Sequence, residues 1–149
     1  KQQKYGLLDE KGIVILELNY ELIDYLGDNL YVVQKGKQLK VANNKGVIVT
    51  KNYYEKVGQI SNTLISISKN NKWGYINKEG IEIIKPQFEE VKNCERNYCL
   101  VKSKSKWGTV DKTGKIKTSL DYDEVEKKEG KLYLTKNGTS FLMDKNGSL

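Results

Sequence analysis

Apolar residues come in short runs of three or four along this chain, separated by polar bends, and no stretch sustains a helical period between caps. The runs at 30–33, 64–67, 98–101 and 132–135 are rich in β-branched and aromatic residues, the composition of strands. Each leads through a polar bend, such as Lys69-Asn70-Asn71-Lys72, into a second apolar run such as Trp73-Gly74-Tyr75-Ile76. A turn of the type Asn77-Lys78-Glu79-Gly80 follows, and then a third run at 13–16, 47–50, 81–84 or 115–118. The turn chemistry is readable: the Asx side chain bonds amides ahead of it, and glycine takes the φ > 0 position that closes a hairpin. A polar link then carries the chain into the next unit. The pattern predicts an all-β chain of about three short antiparallel strands per unit.

The units repeat. Gly12, Gly46, Gly80 and Gly114 stand 34 residues apart, and other columns align with them. Seven residues before the glycine come Tyr5, Leu39, Trp73 and Trp107, followed by Gly6, Lys40, Gly74 and Gly108. Three residues before it stand Asp9, Asn43, Asn77 and Asp111. Eight after it come Tyr20, Tyr54, Phe88 and Tyr122, and three further on Ile23, Val57, Val91 and Val125. A partial fifth unit ends in Asp144-Lys145-Asn146-Gly147, one residue out of step. The reading is a single repeat domain over 1–149, with units at roughly 1–29, 30–63, 64–97 and 98–131 and a partial one at 132–149. One such unit cannot bury both faces of its strands, so units must stack and the core must run between neighbours. An open β-solenoid or meander satisfies this. A small closed propeller-like ring is the alternative, disfavoured because 34 residues leave room for one strand fewer than an ordinary blade.

The run Lys72-Trp73-Gly74-Tyr75-Ile76-Asn77-Lys78-Glu79-Gly80, continued by Ile83-Ile84-Lys85-Pro86-Gln87-Phe88-Glu89-Glu90-Val91, resembles the bacterial WG (or KWG) β-repeat. The fourth unit keeps Lys106-Trp107-Gly108 but has Leu120 in place of the proline. The first unit has Tyr5-Gly6, and the second has Leu39-Lys40 with no aromatic-glycine pair. The resemblance implies arrays of short β units in bacterial proteins, many exported or envelope-associated, with no agreed catalytic role.

Composition narrows the chemistry. Among 149 residues there is no histidine, so the commonest general base and the commonest neutral metal ligand are both missing. The net charge of +7 attracts anionic partners such as nucleic acid, acidic wall polymers or membrane surfaces. Of the 26 basic residues, however, only Arg96 is arginine, the residue suited to bidentate base and phosphate contacts, and the lysines form no long block. Nucleic-acid binding driven by lysine is therefore the second reading. Cys94 and Cys99 fit no zinc spacing; they can form a short-loop disulfide or stand as two thiols, since the other units carry no cysteine there. No leader or membrane span stands out, but the chain opens inside a repeat, so nothing about a leader follows from that.

Each candidate site has a plainer structural role. Tryptophans at 73 and 107 can stack sugars or bases, yet Leu39 in the same column fills a core and cannot stack, which favours packing. The Asx column as calcium ligands conflicts with Lys78, Lys112 and Lys145 directly beside it. The acidic clusters Glu89-Glu90 and 121–126 lack the cleft that paired-carboxylate chemistry needs and read as solvated links among lysines. Asn137-Gly138-Thr139 and Asn146-Gly147-Ser148 match the glycosylation sequon and read as turns. The expectation is a noncatalytic binding or scaffolding module of a bacterial surface-associated or secreted protein. It recognises a protein or glycan partner and has no catalytic, cofactor or metal residues, no cofactor and no transmembrane segment in this chain. Its ligand-binding residues are not assigned.

Overall fold

The structure is a computed structural model and describes residues 3–149. It contains 16 strands and, among the described residues, no helix. The strands form five antiparallel sheets in chain order, each a simple meander in which consecutive strands pair. Sheet 1 holds β1 (Tyr5–Leu8) and β2 (Val14–Tyr20). Sheet 2 holds β3 (Leu22–Gly27), β4 (Leu30–Lys35) and β5 (Gln38–Asn43). Sheet 3 holds β6 (Lys56–Ser61), β7 (Leu64–Lys69), β8 (Lys72–Asn77) and β9 (Glu82–Phe88). Sheet 4 holds β10 (Glu90–Cys94), β11 (Cys99–Ser103), β12 (Lys106–Val110) and β13 (Ile116–Tyr122). Sheet 5 holds β14 (Glu124–Lys128), β15 (Lys131–Lys136) and β16 (Thr139–Leu142). Among the described residues no pairing joins sheet 1 to sheet 5, and the array is open.

The all-β, 34-residue architecture is the one read from the sequence, with one correction. A complete unit has four strands, here called a, b, c and d, where three were expected. The additional one is strand a: β3, β6, β10 and β14. It begins in the stretch read as a polar link. In β6 only Val57, Gly58, Ile60 and Ser61 are even half-buried, so its apolar signal is weak; pairing with β7 makes it a strand. The complete sheets therefore run 56–88 and 90–122, and the boundary drawn at 64 falls between β6 and β7.

Turn residues take the backbone positions that tight hairpins demand. Between strands b and c, Asn70 and Asn71 both have positive φ (52° and 57°), the geometry whose twist matches the flanking strands. Between c and d the Asx side chain does what its column suggested. Asp9 Oδ1 accepts the amides of Lys11 and Ile13 at 2.9 and 2.8 Å, and Asn43 Oδ1 those of Lys45 and Val47 at 3.0 Å.

The aromatic-glycine pair marks a bulge. Register slips between Trp73 and Tyr75, between Trp107 and Thr109 and between Tyr5 and Leu7, each time across the glycine. There strand d crosses close to strand c. A Cβ on Gly108 would lie 2.5 Å from the Ser119 carbonyl oxygen, and one on Gly74 would meet that of Ile84 still closer. The residue that glycine lets approach is thus in its own sheet, not in the next unit. Sheet 2 supplies the contrast, because Lys40 occupies the glycine position. Its d segment makes only isolated bridges, Leu39 to Tyr54 and Ala42 to Ile48, and no continuous fourth strand.

The cores lie between sheets. Leu16, Val33 and Ala42 join sheets 1 and 2; Leu30, Val41, Tyr54, Ile65, Ile67 and Ile76 join sheets 2 and 3. Tyr75, Ile84, Phe88, Val101 and Val110 join sheets 3 and 4, and Leu100, Trp107, Leu134 and Met143 join sheets 4 and 5. The two cysteines, left open by the sequence, form a disulfide. It occupies the cross-strand position that Ile60 and Ile65 fill in sheet 3, buried in the core between sheets 3 and 4. Polar groups also tie neighbours: Tyr75 Oη donates to the Lys92 carbonyl at 2.7 Å and Tyr54 Oη to Glu82 Oε1 at 2.8 Å. Burial pushes both phenols well above their ordinary range, so both stay protonated donors.

Gly74→Ala should force strand d away from strand c and lower the unfolding free energy by about 2–3 kcal/mol, the range for overpacking a close contact. Equilibrium denaturation in urea checks this, with Gly58→Ala, beside a movable Ser66 hydroxyl, expected to cost less.

Candidate functional site

In a meander the a–b and c–d turns share one edge, while the b–c turns and d–a links share the other. The two edges of this array differ in chemistry. On the a–b/c–d edge, polar groups are consumed in tying sheet to sheet. Lys78 in the c–d turn of sheet 3 pairs with Asp28 in the a–b turn of sheet 2. Lys112 Nζ, in the corresponding turn of sheet 4, donates to the Asn62 carbonyl at 3.0 Å. Asn97 Nδ2 donates to Asn146 Oδ1 at 3.1 Å one sheet further on. Lys78 and Lys112, beside the Asx column, thus act as latches between units, and the Asx oxygens are engaged with backbone amides.

The b–c/d–a edge carries an acidic column, two of whose members, Glu89 and Asp123, fall in the clusters that the sequence reading took for solvated links. Glu21, Glu55, Glu89 and Asp123 stand nine residues after the anchor glycines. Each carboxylate reaches across to the b–c turn of the same sheet as the strand it precedes. Glu89 Oε1 and Oε2 accept the amides of Lys104 and Ser105, both at 2.9 Å. Glu55 accepts those of Asn70 and Asn71 at 3.1 and 3.3 Å, Glu21 that of Gly36 at 2.9 Å, and Asp123 that of Asn137 at 2.9 Å. These amides belong to turn residues with positive φ and have no ladder partner, so the carboxylate completes the turn. The column was visible at its fixed offset from the glycines; what sequence did not show was the turn it meets. The Ser105 amide is the main cause holding the Glu89 carboxyl below its ordinary value. The Lys106 ammonium does so for Asp123, and the Lys4 ammonium for Glu21.

Further acids are paired as well. Glu90 pairs with Lys102, Asp121 with Lys136 and Glu126 with Lys128. The Lys136 ammonium lowers the Asp121 carboxyl, the Thr113 hydroxyl lowers that of Asp111, and the Ser148 amide that of Asp144. Every carboxyl with a displaced titration is displaced downward, the direction opposite to a poised general acid. An open cleft of about 630 Å³ between sheets 4 and 5 brings Glu95 and Asp144 together with Arg96, Lys127 and Lys131. There Glu95 pairs with Lys127 at 3.7 Å, and Asp144 accepts the Asn146 and Ser148 amides of its own turn.

The tryptophans belong to the fold. Trp107 is 6% exposed in the core between sheets 4 and 5, and Trp73 is half-buried. Each faces the aromatic column across strands c and d: Trp73 opposite Phe88, Trp107 opposite Tyr122, as Tyr5 is opposite Tyr20. Their exposed margins carry lysines. Lys56 Nζ lies 5.8 Å from the Trp73 ring, and Lys92 and Lys102 lie 5.1 and 5.4 Å from Trp107. Lys35 and Lys69, one repeat apart, lie 4.7 Å from Tyr20 and 4.8 Å from Tyr53. Asn137 and Asn146 of the two sequons sit in turns, as read.

An open stack of four-stranded meanders, sealed by cores between sheets and by an aromatic-glycine bulge, defines a β-repeat array. The WG-containing-repeat family model matches residues 5–38, 73–107 and 107–138, well over half of the chain, and the chain belongs to that family. Residues 39–72, which open on Leu39-Lys40 and include the interrupted fourth strand, lie outside the matched segments. No curated protein matches the chain. Among the described residues no helix is long and apolar enough to cross a membrane.

The lowered Glu89 carboxyl makes a signed prediction. Unfolded, the group titrates near 4.5, and folded it titrates lower, so its stabilisation is present above about pH 5 and fades as the pH falls through the folded value. Glu89→Gln should lower the melting temperature at pH 7 and lower it less at pH 3; thermal melts at both values decide.

Proposed function

We propose that this chain is a noncatalytic binding or scaffolding module of a bacterial surface-associated or secreted protein, and that its partner is a glycan polymer or protein. The observation that carries the reading is the division of labour between the two edges. One edge is occupied with latching sheets together. The other presents lysines beside the b–c turns of sheets 2 to 5, each turn held by a member of the acidic column. Repetition at a fixed spacing suits an extended partner that meets several units at once.

The noncatalytic part rests on the character of the acids and on composition. The displaced carboxyls are lowered by lysines, hydroxyls and amides, a pattern of structural ion pairs and turns. With no histidine in the chain, a hydrolase would have to draw its acid and base from these carboxyls. The bacterial, exported setting is what the family resemblance implies. The lysine-driven nucleic-acid reading has less support, since the single arginine, Arg96, lies on the a–b/c–d edge.

The test is to immobilise the chain and pass over it a panel of purified wall polymers, neutral glycans and candidate surface proteins, analysing the bound fraction for chain length. Retention of a polymer or protein recovered intact is expected. Shortening of a bound polymer would replace this reading with a hydrolase, and retention of nothing would remove it.

A further inference from the structure

Charge is not spread evenly over the b–c/d–a edge. In sheets 4 and 5 most of its lysines are matched by acids, Lys102 by Glu90, Lys106 by Asp123 and Lys136 by Asp121, with Lys104 the exception on the b–c turns. In sheets 2 and 3 they are not. Lys35, Lys37, Lys56, Lys69 and Lys72 cluster on the b–c turns and the start of strand a, and none forms an ion pair among the described residues. Glu21 and Glu55, the acids of this edge in sheets 2 and 3, are committed to turn amides, as is Glu89, which lies within electrostatic reach of Lys72. The cause is legible in one column. The position of Lys56 holds Glu90 in sheet 4 and Glu124 in sheet 5, so an acid becomes a base where the patch forms.

Three of these ammonium groups are also held in place. Lys35, Lys56 and Lys69 sit over the rings of Tyr20, Trp73 and Tyr53. A ring beneath an ammonium limits where it wanders, so less freedom is lost when an anion arrives. The same contacts occupy one face of each ring, which leaves the aromatics as supports for charge and not as stacking platforms.

We propose, building on the binding-module reading, that this edge of sheets 2 and 3 binds a linear poly(phosphodiester) glycan of the wall-polymer kind. Its repeating unit is a sugar or sugar alcohol joined through phosphate, with no aromatic base. The ligand is a chain because the patch is an open row of point charges. Strands lie about 5 Å apart and packed sheets about 10 Å apart, so the charges recur at the spacing of an extended polymer. The ligand is a phosphodiester without bases because lysine meets phosphate oxygens as a point charge, while the arginine fork that reads base edges is absent from this patch. Binding is electrostatic and weakens steeply with salt.

The experiment titrates the purified chain with synthetic poly(glycerol phosphate), polygalacturonate, a neutral glycan and a single-stranded DNA oligonucleotide, following tryptophan fluorescence at two salt concentrations. Two triple variants with equal charge loss are compared: Lys35→Gln/Lys37→Gln/Lys72→Gln on the patch, and Lys11→Gln/Lys45→Gln/Lys115→Gln on the c–d turns. All six side chains are exposed, and matching thermal melts would show both variants folded. Poly(glycerol phosphate) should bind most tightly, losing roughly tenfold in affinity in the patch variant and less than twofold in the other. Equal losses in both variants would reduce the effect to net charge and overturn the assignment. So would absence of poly(glycerol phosphate) binding at low salt, or tighter binding of DNA or polygalacturonate. Binding of the neutral glycan or polygalacturonate alone would remove the polymer assignment and leave the module reading standing, whereas retention of no partner here or in the panel removes both.

Discussion

The array depends on how closely each c–d turn lies against the sheet before it. A Cβ on Gly46 would run into the Ile15 carbonyl, one on Gly80 into the backbone at Val49 and Thr50, and one on Gly114 would come within 3.2 Å of the Ile84 side chain. At Gly147 the obstacle is the Tyr98 ring. All four residues also have positive φ, between 77° and 89°. Two independent demands, backbone conformation and close approach, thus fall on one atom position and exclude every side chain. With the turn seated, apolar residues of adjacent sheets meet and bury one another. No sheet has a core of its own, so this contact is what makes separate meanders one molecule.

The second glycine column works within a sheet. At Gly74 and Gly108 strand d crosses strand c through a bulge, and the glycine leaves room for its carbonyls. Where Lys40 replaces it, strand d is reduced to two bridges. The tryptophan beside each glycine then serves mainly as a cross-strand partner of the Phe88 and Tyr122 column. The residues that give the family its name are thus accounted for by packing. The surface available to a partner lies around them.

What could be read without coordinates was whatever repeats in a column. The period, the Asx turns, the anchor glycines and the packing role of the tryptophans all had four aligned examples. Strand a escaped because its pattern is weak: in β14 only Val125 is even half-buried among five residues. The turn-holding role of Glu21, Glu55, Glu89 and Asp123 escaped for another reason. The column was in view, but the amides it serves lie some 15 residues on, brought back by the a–b hairpin. The disulfide was open because cysteine occurs in one unit alone, where it replaces an isoleucine pair. The lysine patch was hidden most thoroughly. Along the chain its members alternate with ordinary polar residues, and only the meander gathers them on one edge.

The most direct test of the seated-turn account is native-state hydrogen exchange on Gly80→Ala. This substitution disturbs the junction between sheets 2 and 3 and leaves every other turn intact. The account predicts a large loss of protection at Val41, Ile65 and Ile67, whose side chains form that junction, with Leu134 between sheets 4 and 5 far less affected. Unchanged protection at Val41 and Ile65, or an equal loss at Leu134, would contradict it.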